Sequence, residues 1–232
     1  MHDDNYFLII PASGKGSRMN TSLPKQYLEL DNGSTILDQS LGTLLNMSQI
    51  SGCVIAISED DEHFAMSPFS THDKILATTF GGSERFHSVL NALNELVKFA
   101  REDDWVLVHD AVRPCIRIKD VEQLIKMVDN HPVGGILATS IVDTLKMAKD
   151  EHIVKTIERN NLIHAQTPQM FRIGLLKRAL EKVVQDKVHI TDEAEAIERL
   201  GCSIKIIPSS KSNIKITHTD DLQLANYYLN KE

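Results

Sequence analysis

Cysteine is scarce in this chain, and the spacing of the cysteines excludes both a disulfide framework and a zinc site. Cys53, Cys115 and Cys202 are odd in number, lie far apart and form no CxxC pair. A disulfide-stabilised domain needs an even set, and a structural zinc site needs ligands in closely spaced pairs. Unpaired thiols are typical of reducing compartments, so we expect a cytoplasmic protein.

Long apolar runs are lacking as well. No segment approaches the about 18 consecutive apolar residues from which a membrane-spanning helix is recognised. The acidic start of the chain, residues 1–5, has neither the basic residues nor the apolar stretch of a signal peptide. We therefore expect no membrane partner.

Positive charge is in deficit, since the formal net charge is −7 at pH 7. This balance argues against nucleic acid as the main partner. Three cations, Lys15, Arg18 and Lys25, nevertheless lie close together near the N-terminus, a pattern that favours a small anionic ligand. The ten histidines form no HExxH motif, so we expect no metal held by protein side chains. His109 is expected to be structural.

What the chain does contain is a regular alternation of apolar strands and amphipathic helices. Its 232 residues fit one domain, 1–232. Predicted strands cover 6–11, 54–57, 75–79, 105–108, 135–138 and 204–207. Predicted helices cover 35–47, 84–100, 121–128, 175–184, 192–200 and 220–229. Near-continuous apolar strands between helices predict an α/β fold with a doubly wound, mostly parallel sheet covered on both faces.

The alternation changes over residues 141–160. Segments 144–147 and 153–157 alternate polar and apolar residues around the turn-like segment 149–151, which predicts an inserted β-hairpin arm. An isolated two-stranded hairpin is marginally stable in water. We therefore expect this protruding arm to pack on another surface, such as that of a second subunit at a dimer interface.

A glycine-containing loop follows the first predicted strand. Gly14 and Gly16 allow backbone N–H groups to approach a phosphate, and Arg18 and Lys25 supply a guanidinium fork and a compact ammonium. The loop is not a dinucleotide fingerprint, because Met19 stands at the third glycine position, and no Walker motif is present. Ligands of doubly wound sheets lie beyond the carboxyl ends of the strands, so we predict a nucleotide site here.

The string from Ile10 to Gln26 resembles the signature loop of the 2-C-methyl-D-erythritol 4-phosphate cytidylyltransferase family. Further matching blocks follow in the family's order over nearly the whole chain: Gly81-Gly82-Ser83-Glu84-Arg85, Ser88-Val89, 108–114, Asp143-Thr144, Thr167-Pro168-Gln169, Thr191-Asp192-Glu193 and Asn213-Ile214-Lys215. Two positions depart from the pattern. Ser13 stands where the family often has Ala, and Ser83 where it often has Asp.

The resemblance implies a Rossmann-like nucleotidyltransferase fold and a defined reaction. The cytidylyl group of CTP would pass to 2-C-methyl-D-erythritol 4-phosphate, giving 4-diphosphocytidyl-2-C-methyl-D-erythritol and pyrophosphate in non-mevalonate isoprenoid precursor biosynthesis. The attacking phosphate monoester already carries about −1.5 to −2 charges, so no general base is needed. Positioning and electrostatic stabilisation do most of the work in such transfers. Mg²⁺ would arrive with CTP, held mainly by phosphate oxygens and water.

The resemblance also assigns site residues. Arg18 and Lys25 are implied as catalytic groups that stabilise the transition state. The implied nucleotide-binding residues are Ala12, Ser13, Gly14, Gly16, Gly82, Ser83, Ser88 and Lys215. The implied substrate-binding residues are Asp110, Arg113, Thr144, Arg159, Thr167 and Lys215. Since Thr144 and Arg159 flank the predicted arm, which in the family reaches into the neighbouring subunit, a homodimer with shared active sites is implied.

Three alternatives remain open. A ribitol 5-phosphate cytidylyltransferase would share the fold, the loop and the reaction, although Arg113, Thr144 and Arg159 favour methylerythritol phosphate. A sugar 1-phosphate nucleotidyltransferase would match mostly in the loop after the first strand. A non-catalytic nucleotide-binding module would bind nucleotide without releasing pyrophosphate, but the presence of Arg18 and Lys25 favours an enzyme.

Overall fold

A large twisted sheet forms the centre of the protein. The computed structural model of the chain describes residues 4–14 and 23–231. Within these residues the sheet has seven strands in the order β3-β2-β1-β4-β8-β5-β9, and a separate two-stranded sheet joins β6 to β7. The strands are β1 Tyr6–Pro11, β2 Ile50–Ile57, β3 Ile75–Phe80, β4 Trp105–Val108, β5 Gly134–Ser140, β6 Leu145–Lys149, β7 His152–Ile157, β8 Ile163–Arg172 and β9 Lys205–Pro208.

Helices cover both faces of the large sheet. They are α1 Ile36–Leu45, α2 Arg85–Leu96, α3 Ile118–Val128, α4 Ile173–Asp186, α5 Glu193–Glu198 and α6 Thr219–Leu229. Successive side chains of a strand point to opposite faces. Accordingly, Leu8 lies in the core that α1 and α3 cover, whereas Ile9 lies in the core that α2, α4 and α5 cover. Both side chains are fully buried, which is why the first strand reads as a continuous apolar run.

The pairing pattern confirms the predicted doubly wound, mostly parallel sheet. Strand β1 is parallel to both β2 and β4, β2 is parallel to β3, and β5 is parallel to β9. The carboxyl ends of β1, β2 and β4 therefore meet at one edge. Among the described residues no helix combines the length and the apolar character needed to cross a membrane.

The sequence prediction missed one strand, β8, which runs antiparallel to both β4 and β5 in the middle of the sheet. It carries the buried polar side chains of Gln166, Thr167 and Gln169, so it shows neither an apolar run nor an alternation. It also contains Pro168, which normally argues against a central strand. The strand accommodates this proline, whose peptide bond to Thr167 is cis, at a register shift opposite residues 136–138.

The inserted hairpin is present where the sequence predicted it. Strands β6 and β7 pair antiparallel with each other, and Leu145 lies opposite Ile157. The turn between them places Asp150 and Glu151 at positive φ, 48° and 65°. Almost every residue of the two strands is exposed, which sets this arm apart from the central sheet.

Candidate active site at the carboxyl edge of the sheet

A cavity of ≈ 550 Å³ opens where the carboxyl ends of β1 and β4 meet the start of α2. Its volume lies within the roughly 300–1,000 Å³ of typical small-molecule sites. Nine of the predicted site residues line it: Ala12, Ser13, Gly14, Lys25, Gly82, Ser83, Ser88, Asp110 and Lys215. The predicted residues Gly16 and Arg18 lie outside the residues that the structure describes.

The wall that β1 and α2 share is held together by serine hydroxyls. Ser88 is 1% exposed, and its hydroxyl lies 2.9 Å from that of Ser13 and accepts a 3.1 Å hydrogen bond from the backbone N–H of Gly82. A Cβ atom at Gly81 would lie 2.1 Å from Ser13 Oγ, so this close approach requires glycine. Ser83, in contrast, is exposed, and its hydroxyl contacts His87 Nδ1 at 3.1 Å.

Lys25 reaches the cavity from a short 3-10 turn, Lys25–Tyr27. The next residue, Gln26, is buried and donates a 2.6 Å hydrogen bond to the carbonyl oxygen of Ala12. Lys25 Nζ itself donates to the carbonyl oxygen of Ile216 at 3.3 Å. This anchoring places the ammonium group beside the end of β1.

The most charged part of the site centres on Asp110, which follows β4. Its Oδ1 accepts from Arg85 Nε at 2.9 Å, and its Oδ2 accepts from Lys215 Nζ at 3.0 Å and from Arg113 Nε at 3.3 Å. Burial alone would raise the pKa of Asp110, but the three cations outweigh it and hold this pKa well below its ordinary value. Asp110 is therefore ionised across the physiological pH range.

Arg85 links this carboxylate to a second one, since its Nη1 donates to Glu193 Oε1 at 2.5 Å. We call the five side chains of Arg85, Asp110, Arg113, Glu193 and Lys215 the Asp110 cluster. Arg85 and Glu193 both lie in motifs that match the family, but nothing in the sequence predicted a role for either residue. They are 108 residues apart in the chain, so no local spacing could have revealed the contact.

Thr167 contacts both Asp110 and its neighbour His109. Its buried hydroxyl oxygen accepts from the backbone N–H of Asp110 at 3.0 Å and lies 3.1 Å from His109 Nδ1. His109 Nε2 lies 3.2 Å from the carbonyl oxygen of Arg113, which can only accept, so we infer the Nε2–H tautomer. Burial lowers the pKa of His109 to about 4 and keeps the imidazole neutral.

Two predicted site residues are not brought to this cavity by their own chain. Thr144 precedes β6 and Arg159 follows β7, and both are exposed on the arm. The guanidinium of Arg159 donates to the carbonyl oxygen of Val142 within the arm. Arg113 and Thr167 are also not lining residues, but they contact Asp110 directly.

The described residues contain no group of three or more His, Cys, Asp and Glu side chains arranged to hold a metal ion. The carboxylates found on the cavity wall over the described ranges are Glu84 and Asp110. Glu84 pairs with His189, and Asp110 is engaged by three cations. Such a donor set suits an anionic ligand better than a bare cation.

Comparisons with known proteins agree over almost the whole chain. The model of a family described as 2-C-methyl-D-erythritol 4-phosphate cytidylyltransferase matches residues 6–231. A relative with the same description from Ruthia magnifica subsp. Calyptogena magnifica is 53% identical over 98% of this chain and 98% of its own length. One from Vibrio atlanticus is 45% identical over 97% and 96%. The crystal structure of the Francisella tularensis 2-C-methyl-D-erythritol 4-phosphate cytidylyltransferase superposes with a TM-score of 0.85 at 39% identity, covering 97% of this chain and 99% of that one.

Proposed function

Since the chain belongs to the 2-C-methyl-D-erythritol 4-phosphate cytidylyltransferase family, we propose that it transfers the cytidylyl group of CTP to 2-C-methyl-D-erythritol 4-phosphate. The products are 4-diphosphocytidyl-2-C-methyl-D-erythritol and pyrophosphate, and the reaction belongs to isoprenoid precursor biosynthesis. The observation that carries this assignment is the convergence of Lys25, Lys215 and Asp110 on one cavity at the predicted edge of the sheet.

The chemistry asks for positioned cations. An oxygen of the substrate's phosphate monoester attacks the α-phosphorus of CTP, a new P–O bond forms, and the bond to the β-phosphate breaks. The electron pair of that bond leaves with pyrophosphate. No proton has to be abstracted, because the attacking phosphate is already ionised. Lys25, Lys215 and, beyond the described residues, Arg18 are proposed to offset the negative charge on the transferring and leaving groups.

The cavity wall supplies the proposed nucleotide contacts. Gly14 is exposed there, and a Cβ atom at this position would meet nothing within 4 Å among the described residues. Packing against the described residues therefore does not require this glycine, and we propose that close approach of a ligand to the backbone does. Gly82, Ser83 and Ser88, near the start of α2 on the same cavity, are proposed to read the cytosine edge.

Mg²⁺ is proposed to enter with CTP. When bound, it would neutralise part of the triphosphate charge and favour departure of pyrophosphate. The cation-rich donor set around Asp110 fits a metal held mainly by phosphate oxygens and water. The role of the chain's own residues is to bind and orient the phosphates.

The arm is proposed to complete the site of a second subunit. Thr144 and Arg159 do not line the cavity of their own chain, and an exposed arginine fork is well suited to a phosphate group. The arm also exposes apolar side chains, with Ile153 69% and Val154 57% exposed, which a partner would cover. We therefore propose a homodimer in which each arm contacts the substrate phosphate in the partner's cavity, and the three widely spaced cysteines favour a cytoplasmic location.

Pyrophosphate release from CTP and Mg²⁺, with 2-C-methyl-D-erythritol 4-phosphate and ribitol 5-phosphate as parallel acceptors, tests the assignment. We expect rapid release with the first acceptor and little with the second. A preference for ribitol 5-phosphate would retain the mechanism but overturn the substrate. A folded chain that binds CTP and releases no pyrophosphate with either acceptor would refute the enzyme assignment.

A further inference from the structure

Glu193 is a fully buried carboxylate whose pairing with Arg85 stays incomplete. It is 0% exposed. Its second oxygen, Oε2, and Arg85 Nη2 are both buried and have no hydrogen-bond partner among the described residues. Burial raises the pKa of Glu193 even though Arg85 opposes the shift. Each side of this buried ion pair keeps an atom without a partner among the described residues, and such a pair adds little net stability, which favours a functional role.

Arg85 connects Glu193 to Asp110 by hydrogen bonds to both carboxylates. Its planar guanidinium donates from Nε to Asp110 Oδ1 and from Nη1 to Glu193 Oε1. Because the guanidinium is rigid, fixing one of these contacts fixes the direction of the other. The side chain thereby joins the start of α2, the start of α5 and the end of β4.

Glu193 is in turn anchored to the central sheet. Gln169 on β8 accepts a 2.8 Å hydrogen bond from the backbone N–H of Ala194 and donates one of 2.8 Å to Asp192 Oδ2. Asp192 also caps α5 by accepting from the backbone N–H of Glu195 at 2.9 Å. The carboxylate of Glu193 therefore sits on a part of the backbone that β8 holds in place.

Glu193 also sets the charge of the Asp110 cluster. Three cationic side chains face two carboxylates, so the cluster has a formal excess of one positive charge. Without the carboxylate of Glu193 the excess would be two. The additional positive charge would attract an anionic nucleotide more strongly, while the loss of the Glu193 contact would leave Arg85 less firmly oriented towards Asp110.

We propose that Glu193 and Arg85 are positioning residues for the reaction: Glu193 holds Arg85, and Arg85 fixes Asp110 Oδ1 so that Oδ2 stays directed at Lys215 and Arg113. The inference rests on the proposed function. Glu193 should have two separable effects. Its effect on the orientation of Asp110 should change kcat/KM for the phosphate acceptor, and its effect on the charge of the cluster should change the affinity for CTP.

The test compares Glu193→Gln with the unmodified chain, with Glu198→Gln as a matched control because Glu198 is exposed on the same short helix. Steady-state pyrophosphate release gives KM for 2-C-methyl-D-erythritol 4-phosphate, and titration without acceptor gives Kd for CTP. We expect Glu193→Gln to lower kcat/KM for the acceptor roughly 30-fold while CTP binds as tightly as before or about 2- to 5-fold more tightly. The control should leave both values unchanged.

Two further variants keep the test independent of folding. Glu193→Asp retains the charge and should recover part of the lost kcat/KM. Asp110→Asn combined with Glu193→Gln should lose little more than Asp110→Asn alone, because Glu193 acts through Asp110. Multiplicative losses in the double variant would overturn the inference.

Other outcomes are equally decisive. Unmodified kinetics in Glu193→Gln would overturn the positioning role and leave the proposed function intact. A parallel loss of CTP affinity, acceptor affinity and Tm would mean that Glu193 is only structural. If the unmodified chain released no pyrophosphate, the proposed function would fail. The effect of Glu193 on charge could still be tested by CTP binding alone, and weaker binding of CTP to Glu193→Gln would overturn it.

Discussion

The Asp110 cluster and the arm both carry residues that are predicted to bind the substrate, but these residues differ in their burial and in their contacts. In the cluster, Asp110 has 7% of its side chain exposed and is bound by three cations. On the arm, Thr144 and Arg159 are exposed, and within the described part of the chain strands β6 and β7 pair only with each other. The cluster is therefore organised before a ligand arrives, whereas the arm is proposed to gain its order from contacts with a second subunit.

This difference predicts how substitutions act. In an organised, partly desolvated site, loss of one charged group affects the transition state directly, because the remaining groups are fixed and no water replaces it easily. On an exposed arm, loss of a charged group weakens an association and leaves the chemistry unchanged. Substitutions in the cavity should therefore lower kcat, whereas substitutions on the arm should raise KM.

Lys25→Ala should have the largest effect. The ammonium group lies on the wall of the organised cavity, and we expect kcat to fall about 100- to 1,000-fold with little change in the free energy of unfolding. Steady-state kinetics and denaturant unfolding measure the two quantities. Lys98→Ala is the control, since Lys98 is an exposed lysine whose ion pair is with Glu95 on the surface. Near-normal turnover in Lys25→Ala would remove this lysine from the mechanism.

Much of this organisation was predictable from the sequence, for identifiable reasons. Strands β1 and β4 were predicted at their observed bounds because both are buried on both faces and read as continuous apolar runs. The hairpin was predictable because alternation and a turn are local signals. Strand β8 was missed because three of its buried residues, Gln166, Thr167 and Gln169, are polar and are satisfied by partners distant in sequence.

The candidate site shows the same limit. The residues that line the cavity follow strands or flank helices, so motif and fold class locate them. Arg85 is 108 residues from Glu193 and 25 residues from Asp110 in the sequence, so no periodic pattern indicates these contacts. Only the tertiary structure reveals them.

The next largest effect should be a loss of stability in acid that is caused by His109. The pKa of His109 is lowered from 6.5 to about 4 in the folded chain, so the unfolded chain takes up the proton first as the pH falls. The stabilisation is complete above pH 6.5 and is lost progressively towards pH 4. We expect a loss of about 3 kcal/mol in the free energy of unfolding over this window.

Denaturant unfolding between pH 7 and pH 4 measures this slope. His109→Gln should flatten it, whatever the variant's stability at neutral pH. His152→Gln is the matched control, because His152 is exposed at the tip of the arm, and its slope should equal that of the unmodified chain. Equal slopes in all three proteins would show that the pKa of His109 is not lowered and that water reaches its imidazole.

Arg159→Ala should act on binding alone. We expect KM for the phosphate acceptor to rise about 10- to 100-fold while CTP affinity stays unchanged, because a charged hydrogen bond of about 1.5–3 kcal/mol is lost on the arm. The decisive measurement mixes Arg159→Ala subunits with Lys25→Ala subunits. Each mixed dimer would contain one intact site, so about a quarter of the unmodified activity should return in an equal mixture. No recovery in a verified mixed dimer would refute the shared site.

The smallest effect tests the same distinction within one wall of the cavity. Ser88 is 1% exposed, and its hydroxyl contacts both Ser13 and the Gly82 N–H, whereas Ser83 is exposed and contacts only His87 among the hydrogen bonds described. Removing a buried hydroxyl leaves its partners unsatisfied, which costs about 1–3 kcal/mol, while water can replace an exposed one. Ser88→Ala should therefore weaken CTP binding about 10-fold, and Ser83→Ala less than about 3-fold. An equal or larger loss in Ser83→Ala would mean that an exposed hydroxyl reads the base directly, and burial would then no longer rank the residues of this site.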